Sequence, residues 1–167
     1  MKYRLILIVL PFLMLCACNK PSPVEQRRQE KYLQDSIALM EQQRTLDYYQ
    51  TQLDLLSPKV DSLLPRFKYE QKNEKYQDHG YYVILNKRRD MRVLVRDDGK
   101  AQVMIYLNGK RIEPTDKRLT AADQETIATA QELSVLMSDI QELEHRIAKT
   151  SLEVQKYQRR LEKRAAQ

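Results

Sequence analysis

Residues 133–161, LSVLMSDIQELEHRIAKTSLEVQKYQRRL, decide the fold. Leu133, Leu136, Ile140, Leu143, Ile147, Thr150, Val154, Tyr157 and Leu161 follow one another at alternating steps of three and four residues. That spacing is a sustained heptad seam, which places one apolar stripe along a long helix. Thr120 stands where an N-cap belongs, and Asp123 three residues on completes a capping-box arrangement. A helix over 120–165 follows.

A second seam lies upstream. Tyr32, Leu39, Leu46, Leu53 and Val60 recur every seventh residue, joined by Tyr49, Leu56 and Leu63 on the neighbouring position. Asp35 and Gln42 fill that neighbouring position earlier on, while Leu33, Ile37 and Met40 form a displaced stripe, so a stutter is expected between Met40 and Leu46. Pro58 should kink or interrupt the last turn or two of this helix, assigned to 24–65. At 1.5 Å per residue each helix would be roughly 60 Å long. The flanks Ala38, Gln43, Thr45 and Gln52 lack the charge ladder of a parallel zipper, so the two seams are expected to pair within the chain. An antiparallel hairpin would bring Val60 near Thr129, Leu53 near Leu136, Leu46 near Leu143 and Tyr32 near Tyr157. Two helices make a thin core, which leaves self-association into a four-helix bundle open.

All three glycines, Gly80, Gly99 and Gly109, fall between the seams. Tyr81–Leu85, Met91–Arg96 and Ala101–Leu107 are rich in β-branched and aromatic residues and read as an antiparallel meander within a β module over 66–113, followed by a linker over 114–119. A three-residue loop, Asp97-Asp98-Gly99, with Gly99 in the left-handed bulge position, places Met91, Val93, Val95, Ala101, Val103, Ile105 and Leu107 on one face; a two-residue turn would scatter them. The fold class is therefore α+β: two long helices in an antiparallel coiled-coil hairpin with a small meander inserted at the tip.

The other face is expected to carry Tyr82, Ile84, Arg92, Leu94, Arg96, Met104 and Tyr106, a set too apolar for a purely solvated surface and rich in the Arg and Tyr that partner-binding surfaces favour. It is the expected recognition surface for an envelope protein or polymer. Coverage of the same face by a first strand region around Phe67 and Tyr69, or by the helix ends, is the competing expectation.

At the N-terminus, Lys2 and Arg4 precede an uncharged run from Leu5 to Ala17, too short to span a bilayer and built like a secretory signal. The run ends in Leu15-Cys16-Ala17-Cys18, which resembles the lipobox of bacterial lipoproteins. The resemblance implies removal of residues 1–17, lipid on Cys18 as the membrane anchor, and a tether over 18–23. Asn19 and Lys20 follow the cysteine without an acid, which in that family points to the outer membrane and its periplasmic face. The layout, with Lys72-Asn73-Glu74-Lys75-Tyr76 leading to Gly80-Tyr81-Tyr82-Val83, also resembles small coiled-coil lipoproteins of Bacteroidota, a likeness that brings no activity with it.

The chain carries 29 Lys and Arg against 23 Asp and Glu, and without residues 1–17, which hold two of the bases, the remainder has a net charge of +4. Lys156, Arg159, Arg160, Lys163 and Arg164 concentrate charge at the C-terminus. In a hairpin they would return to the lipid end beside Arg27, Arg28 and Lys31, to contact an anionic membrane surface. Complementing the helix dipole is the equally simple use for them. Export removes nucleic acid from the expected partners. His79 and His145 stand alone, Cys16 is lost with the signal, and the chain lacks a phosphate-binding glycine loop, a nucleophile elbow and helically spaced metal ligands. No enzyme, cofactor or metal site is expected.

Overall fold

The computed structural model describes residues 22–74 and 77–166, with the backbone alone for residues 72–74 and 77–79. Cys18 and the lipobox lie outside the described residues. The elements are α1 (Pro23–Leu63), β1 (Lys68–Glu74), β2 (Gln77–Asn86), β3 (Met91–Arg96), β4 (Val103–Leu107), β5 (Lys110–Ile112) and α2 (Ala121–Ala165), with single 3₁₀ turns at Leu64–Arg66 and Lys87–Arg89. The architecture is α+β: two long helices and a five-stranded antiparallel sheet in the order β1-β2-β3-β4-β5.

Both helices begin on reciprocal caps. At α1 the Glu25 N–H donates to Ser22 Oγ at 3.2 Å and the Ser22 N–H donates to Glu25 Oε2 at 2.7 Å. Pro23 follows as the first helical residue, where its missing N–H costs nothing. At α2 the Thr120 N–H donates to Asp123 Oδ2 at 2.8 Å and the Asp123 N–H donates to Thr120 Oγ1 at 3.3 Å. Pro58 does not interrupt α1, which runs on to Leu63. The interruption expected there comes later, at the 3₁₀ turn that contains Pro65.

The chain divides into two compact units. In the larger, Gln43–Leu152, the core is the inner face of the sheet. Met91, Val93, Val95, Ile105, Leu107 and Ile112 pack against Ile127, Ala130 and Leu133 from the first turns of α2, with Val60, Leu63, Leu64 and Phe67 at the edge. Fully burying one such aliphatic side chain contributes about 1.5–3 kcal/mol, so this layer is the main source of the unit's stability.

Residue alternation across β3 and β4 matches the expected faces, but the loop between them is longer than expected. Val95 pairs with Val103, not with Ala101, so the connection spans 96–102 outside the ladder and Ala101 is exposed. Gly99 does take the left-handed conformation, at φ 66°. A shift of two residues leaves every side chain on its own face, which is why the apolar set survives the error. The first strand region expected around Phe67 and Tyr69 is β1, which starts at Lys68 and runs through the mostly charged or polar KYEQKNE, while the three-residue β5 lay outside the expectation.

Within this unit Arg146 lies over the ring of Tyr49, 5.7 Å from its centre, and Val60 lines a small cavity with Met137, Ile140, Gln141 and Glu144. Val60 was expected opposite Thr129 and Leu46 opposite Leu143. The facing residues of α2 are thus displaced by about one heptad toward its C-terminus. The cause is the sheet, which takes Ile127, Ala130 and Leu133 for its own core.

The other unit combines residues 22–42 and 153–166. Arg164 pairs with Asp35 at 2.6 Å and donates to the carbonyl oxygen of Lys31 at 2.6 Å, tying the two helical segments together. Val154 is buried there, whereas α1 has no buried residue anywhere along its length, and its displaced stripe of Leu33, Ile37 and Met40 is exposed.

Candidate functional site

The outer face of the sheet is fixed by register. Cross-strand partners share a face in an antiparallel ladder. Val83 pairs with Leu94 and Leu94 with Met104, while Leu85 pairs with Arg92, Arg92 with Tyr106 and Tyr106 with Arg111. Glu70 of β1 pairs with Tyr81, and Tyr81 with Arg96. These rows define one surface.

On it lies a groove of about 460 Å³ lined by Glu70, Gln71, Tyr81, Arg92, Leu94, Met104, Tyr106 and Gly109. Leu94 and Met104 are neighbours on the floor, with the two tyrosines in adjoining rows. Arg92 donates to Glu70 Oε2 at 2.6 Å, and Lys68 stands 3.8 Å from the other oxygen of that carboxylate. Arg92 and Glu70 sit in rows on either side of Val83 and on the strands flanking it, so their ion pair runs diagonally over that residue. Val83 is 1% exposed, although it belongs to the outer face.

Of the residues expected on this face, Arg92, Leu94, Met104 and Tyr106 line the groove together. Arg96 shares the face, but its guanidinium turns to Asp98 at 2.7 Å. Tyr82 and Ile84 do not belong to it: Tyr82 pairs with Val95 and Ile84 with Val93, and both pack against the inner core. The reason is the β2–β3 connection. Asn86 pairs with Met91 around a four-residue loop, which puts the odd-numbered residues of β2 with the even-numbered residues of β3. Tyr81 and Val83 therefore replace Tyr82 and Ile84. The signal was the polar run Lys87-Arg88-Arg89-Asp90, whose length sets that parity and whose Asp90 takes a left-handed conformation at φ 48°. Glu70 and Gln71, further along β1, were not among the expected residues.

Two polar clusters lie at the two ends of the central strands. At the β2–β3 turn, Asp123 is completely buried and receives Arg89 Nη1 at 2.8 Å and Asn86 Nδ2 at 3.3 Å in addition to its Thr120 contacts. Burial alone would raise its carboxyl pKa, but the hydrogen bonds from Thr120, the Arg89 charge and the Asn86 amide outweigh it and hold the group below the ordinary value of 3.8. At the opposite end, Asp97 accepts the Tyr69 hydroxyl at 2.8 Å through Oδ2 and the Gly80 N–H at 3.0 Å through Oδ1. The Tyr69 hydroxyl is pushed above its usual range, first by that hydrogen bond to Asp97. The site leaves no room at Gly80, where a Cβ would lie 1.9 Å from the Tyr69 hydroxyl.

The five C-terminal bases divide. Lys156 is paired with Glu153 at 3.1 Å and Arg164 with Asp35, while Arg160 lies over the ring of Tyr157 at 5.4 Å. Arg159 and Lys163 are exposed. His145 is also exposed, as its position relative to the seam implied. Among the described residues no cluster of three His, Cys, Asp or Glu could hold a metal ion, and no helix is long and apolar enough to cross a membrane. No protein family model, curated protein or solved structure matches the chain.

Proposed function

We propose that this chain is a non-enzymatic envelope lipoprotein, anchored by lipid on Cys18, in which a coiled-coil stalk presents the sheet at its tip for binding another envelope component. The observation that carries the binding role is the outer-face groove, where the half-buried Leu94 and Met104 lie between two tyrosines and an arginine on a sheet whose other face already forms the core. Pockets that bind ligands combine an apolar lining with a few placed polar groups, which is the chemistry found here. The anchor rests on the lipobox likeness. In this reading the exposed Arg159 and Lys163 face the anionic membrane surface at the periplasmic side of the outer membrane.

The test is photocrosslinking from position 106 in living cells. A partner captured there, and lost on combining Tyr81→Ala with Arg92→Ala while the sheet stays folded, supports the binding role. Unchanged capture rejects this face. Cys18→Ser should abolish incorporation of labelled fatty acid; retained label rejects the anchor.

A second reading is a self-associating scaffold. It is favoured by the exposed Leu33, Ile37 and Met40 on a helix with no buried residue. Light scattering from the full chain in detergent separates the two: a concentration-independent monomer counts against the scaffold.

A further inference from the structure

We propose that the groove recognises a peptide carboxylate adjoining a large apolar side chain, with Arg92 as the carboxylate receptor and Glu70 as an internal stand-in for the ligand. The inference rests on the binding role proposed above and goes further by naming the chemistry of what is bound.

The first argument is charge. Among the outer-face strand residues whose side chains are described, Lys68, Arg92, Arg96 and Arg111 oppose a single acid, Glu70. Arg96 is committed to Asp98. Arg92 is the base that lines the groove, and Arg111 stands directly across from Tyr106 in β5 and is exposed. The rim therefore favours an anion.

The second argument is geometry. Arg92 already holds a carboxylate, that of Glu70, at 2.6 Å. A guanidinium presents a planar set of donors that matches a carboxylate, so the contact shows both the ligand type and the place it would occupy. Their side chains are 47% and 34% exposed, and ion pairs so open to water are held weakly. An incoming carboxylate can displace Glu70 without dismantling the sheet. Lys68, already 3.8 Å from Glu70, remains to receive the displaced side chain.

The third argument is the floor. Leu94 and Met104, bordered by Tyr81 and Tyr106, offer apolar area beside the guanidinium, and methionine and tyrosine suit adaptable protein recognition. A free carboxylate alone would leave this area unused. A peptide ending in a large apolar residue supplies both halves, and 460 Å³ holds one or two side chains rather than a folded domain.

The arrangement makes predictions of opposite sign for the two partners of one ion pair. The probe is a fluorescein-labelled Ala-Ala-Phe peptide with a free C-terminal carboxylate, titrated by anisotropy against the full chain in detergent micelles, with the C-terminal amide of the same peptide as its comparison. The acid should bind about tenfold or more tightly than the amide. Arg92→Met should abolish that preference, whereas Glu70→Gln should tighten binding of the acid by roughly threefold, because the internal competitor is gone. Tyrosine near-ultraviolet circular dichroism and the urea midpoint establish that each variant is folded.

Equal binding of acid and amide, or weaker binding by folded Glu70→Gln, overturns the carboxylate assignment. So does the absence of binding by either peptide. Capture from position 106 in cells remains an independent reading, so loss of the carboxylate assignment and loss of the binding face are told apart.

Discussion

The two faces of the sheet are made by the same strands and differ in how their side chains are used. Met91, Val93 and Val95 on β3 and Ile105 and Leu107 on β4 are each at most 3% exposed, closed over by the end of α1 and the start of α2. Between them Arg92, Leu94, Met104 and Tyr106 point the other way and border a groove. One face is held by apolar contact on both sides. The other is crossed by the Arg92–Glu70 ion pair. The difference shows how a small sheet can keep one surface open: the inner face provides the stability, so the outer face is free to carry arginine, tyrosine and methionine.

The comparison breaks most sharply at the inner layer. Ile105→Ala should remove roughly 3 kcal/mol, from lost burial and the cavity left among Val93, Ile127 and Leu133. Leu94→Asp, on the neighbouring strand but the opposite face, should cost less than about 1 kcal/mol. Urea unfolding followed by circular dichroism measures both. Comparable losses would mean that the outer face is also core.

Next in size is the clamp that holds the β2–β3 turn to α2. Asp123→Ala removes a helix cap and leaves Arg89 without its 2.8 Å partner, and should cost roughly 2–3 kcal/mol. Because the folded carboxyl is held below its ordinary 3.8, its contribution is fully present above that value and is lost as pH falls through the lower folded value. The urea midpoint of the wild-type chain should therefore fall more steeply below about pH 4 than that of Asp123→Asn. Parallel curves would show that Asp123 is not the group responsible.

These contrasts also explain what was legible in the sequence. The seam from Leu133 to Leu161, the Thr120–Asp123 cap and the alternation of β3 and β4 are strong because each repeats a single physical requirement over many residues. The Ser22–Glu25 box carries the same cap chemistry and was equally readable. Weaker signals failed where local pattern does not decide. The charged β1 strand is stabilised by its ladder with β2 and not by its own propensity. Tyr82 and Ile84 were misplaced because one residue of loop parity inverts a whole strand. The helix pairing slipped by about one heptad because periodicity is silent about which turns the sheet will claim. The shared face of Arg92, Leu94, Met104 and Tyr106 was legible from alternation, whereas Glu70 and Tyr81 required the register.

A smaller effect tests the polar cluster at the far end of the sheet. Tyr69→Phe deletes the hydroxyl that donates to Asp97 at 2.8 Å while keeping the ring 5.2 Å from that of Tyr82. It should cost about 1 kcal/mol, the usual net worth of one hydrogen bond. Removing the hydroxyl also clears the atom nearest to a Cβ at Gly80. Gly80→Ala should accordingly be less damaging in the Tyr69→Phe background than alone, and a double-mutant cycle by urea unfolding measures the difference. Simple additivity would mean that the crowding at Gly80 comes from the atoms that phenylalanine leaves in place, the ring carbon Cζ of residue 69 and Asp97 Oδ2.

The smallest effect is the most informative about the groove. Arg92→Met removes one side of an exposed ion pair, which is worth less than about 1 kcal/mol, and the methionine keeps part of the aliphatic cover over Val83. Arg92→Ala removes both the charge and the cover. If the pair is the roof of Val83, alanine should destabilise more than methionine, and Val83→Ala should abolish that difference. If alanine and methionine are equal in urea unfolding, Val83 owes its burial to other neighbours, and the ion pair contributes only charge to the groove. Either result leaves the inner face intact, because Val83 lies on the side of β2 turned away from Val93 and Val95.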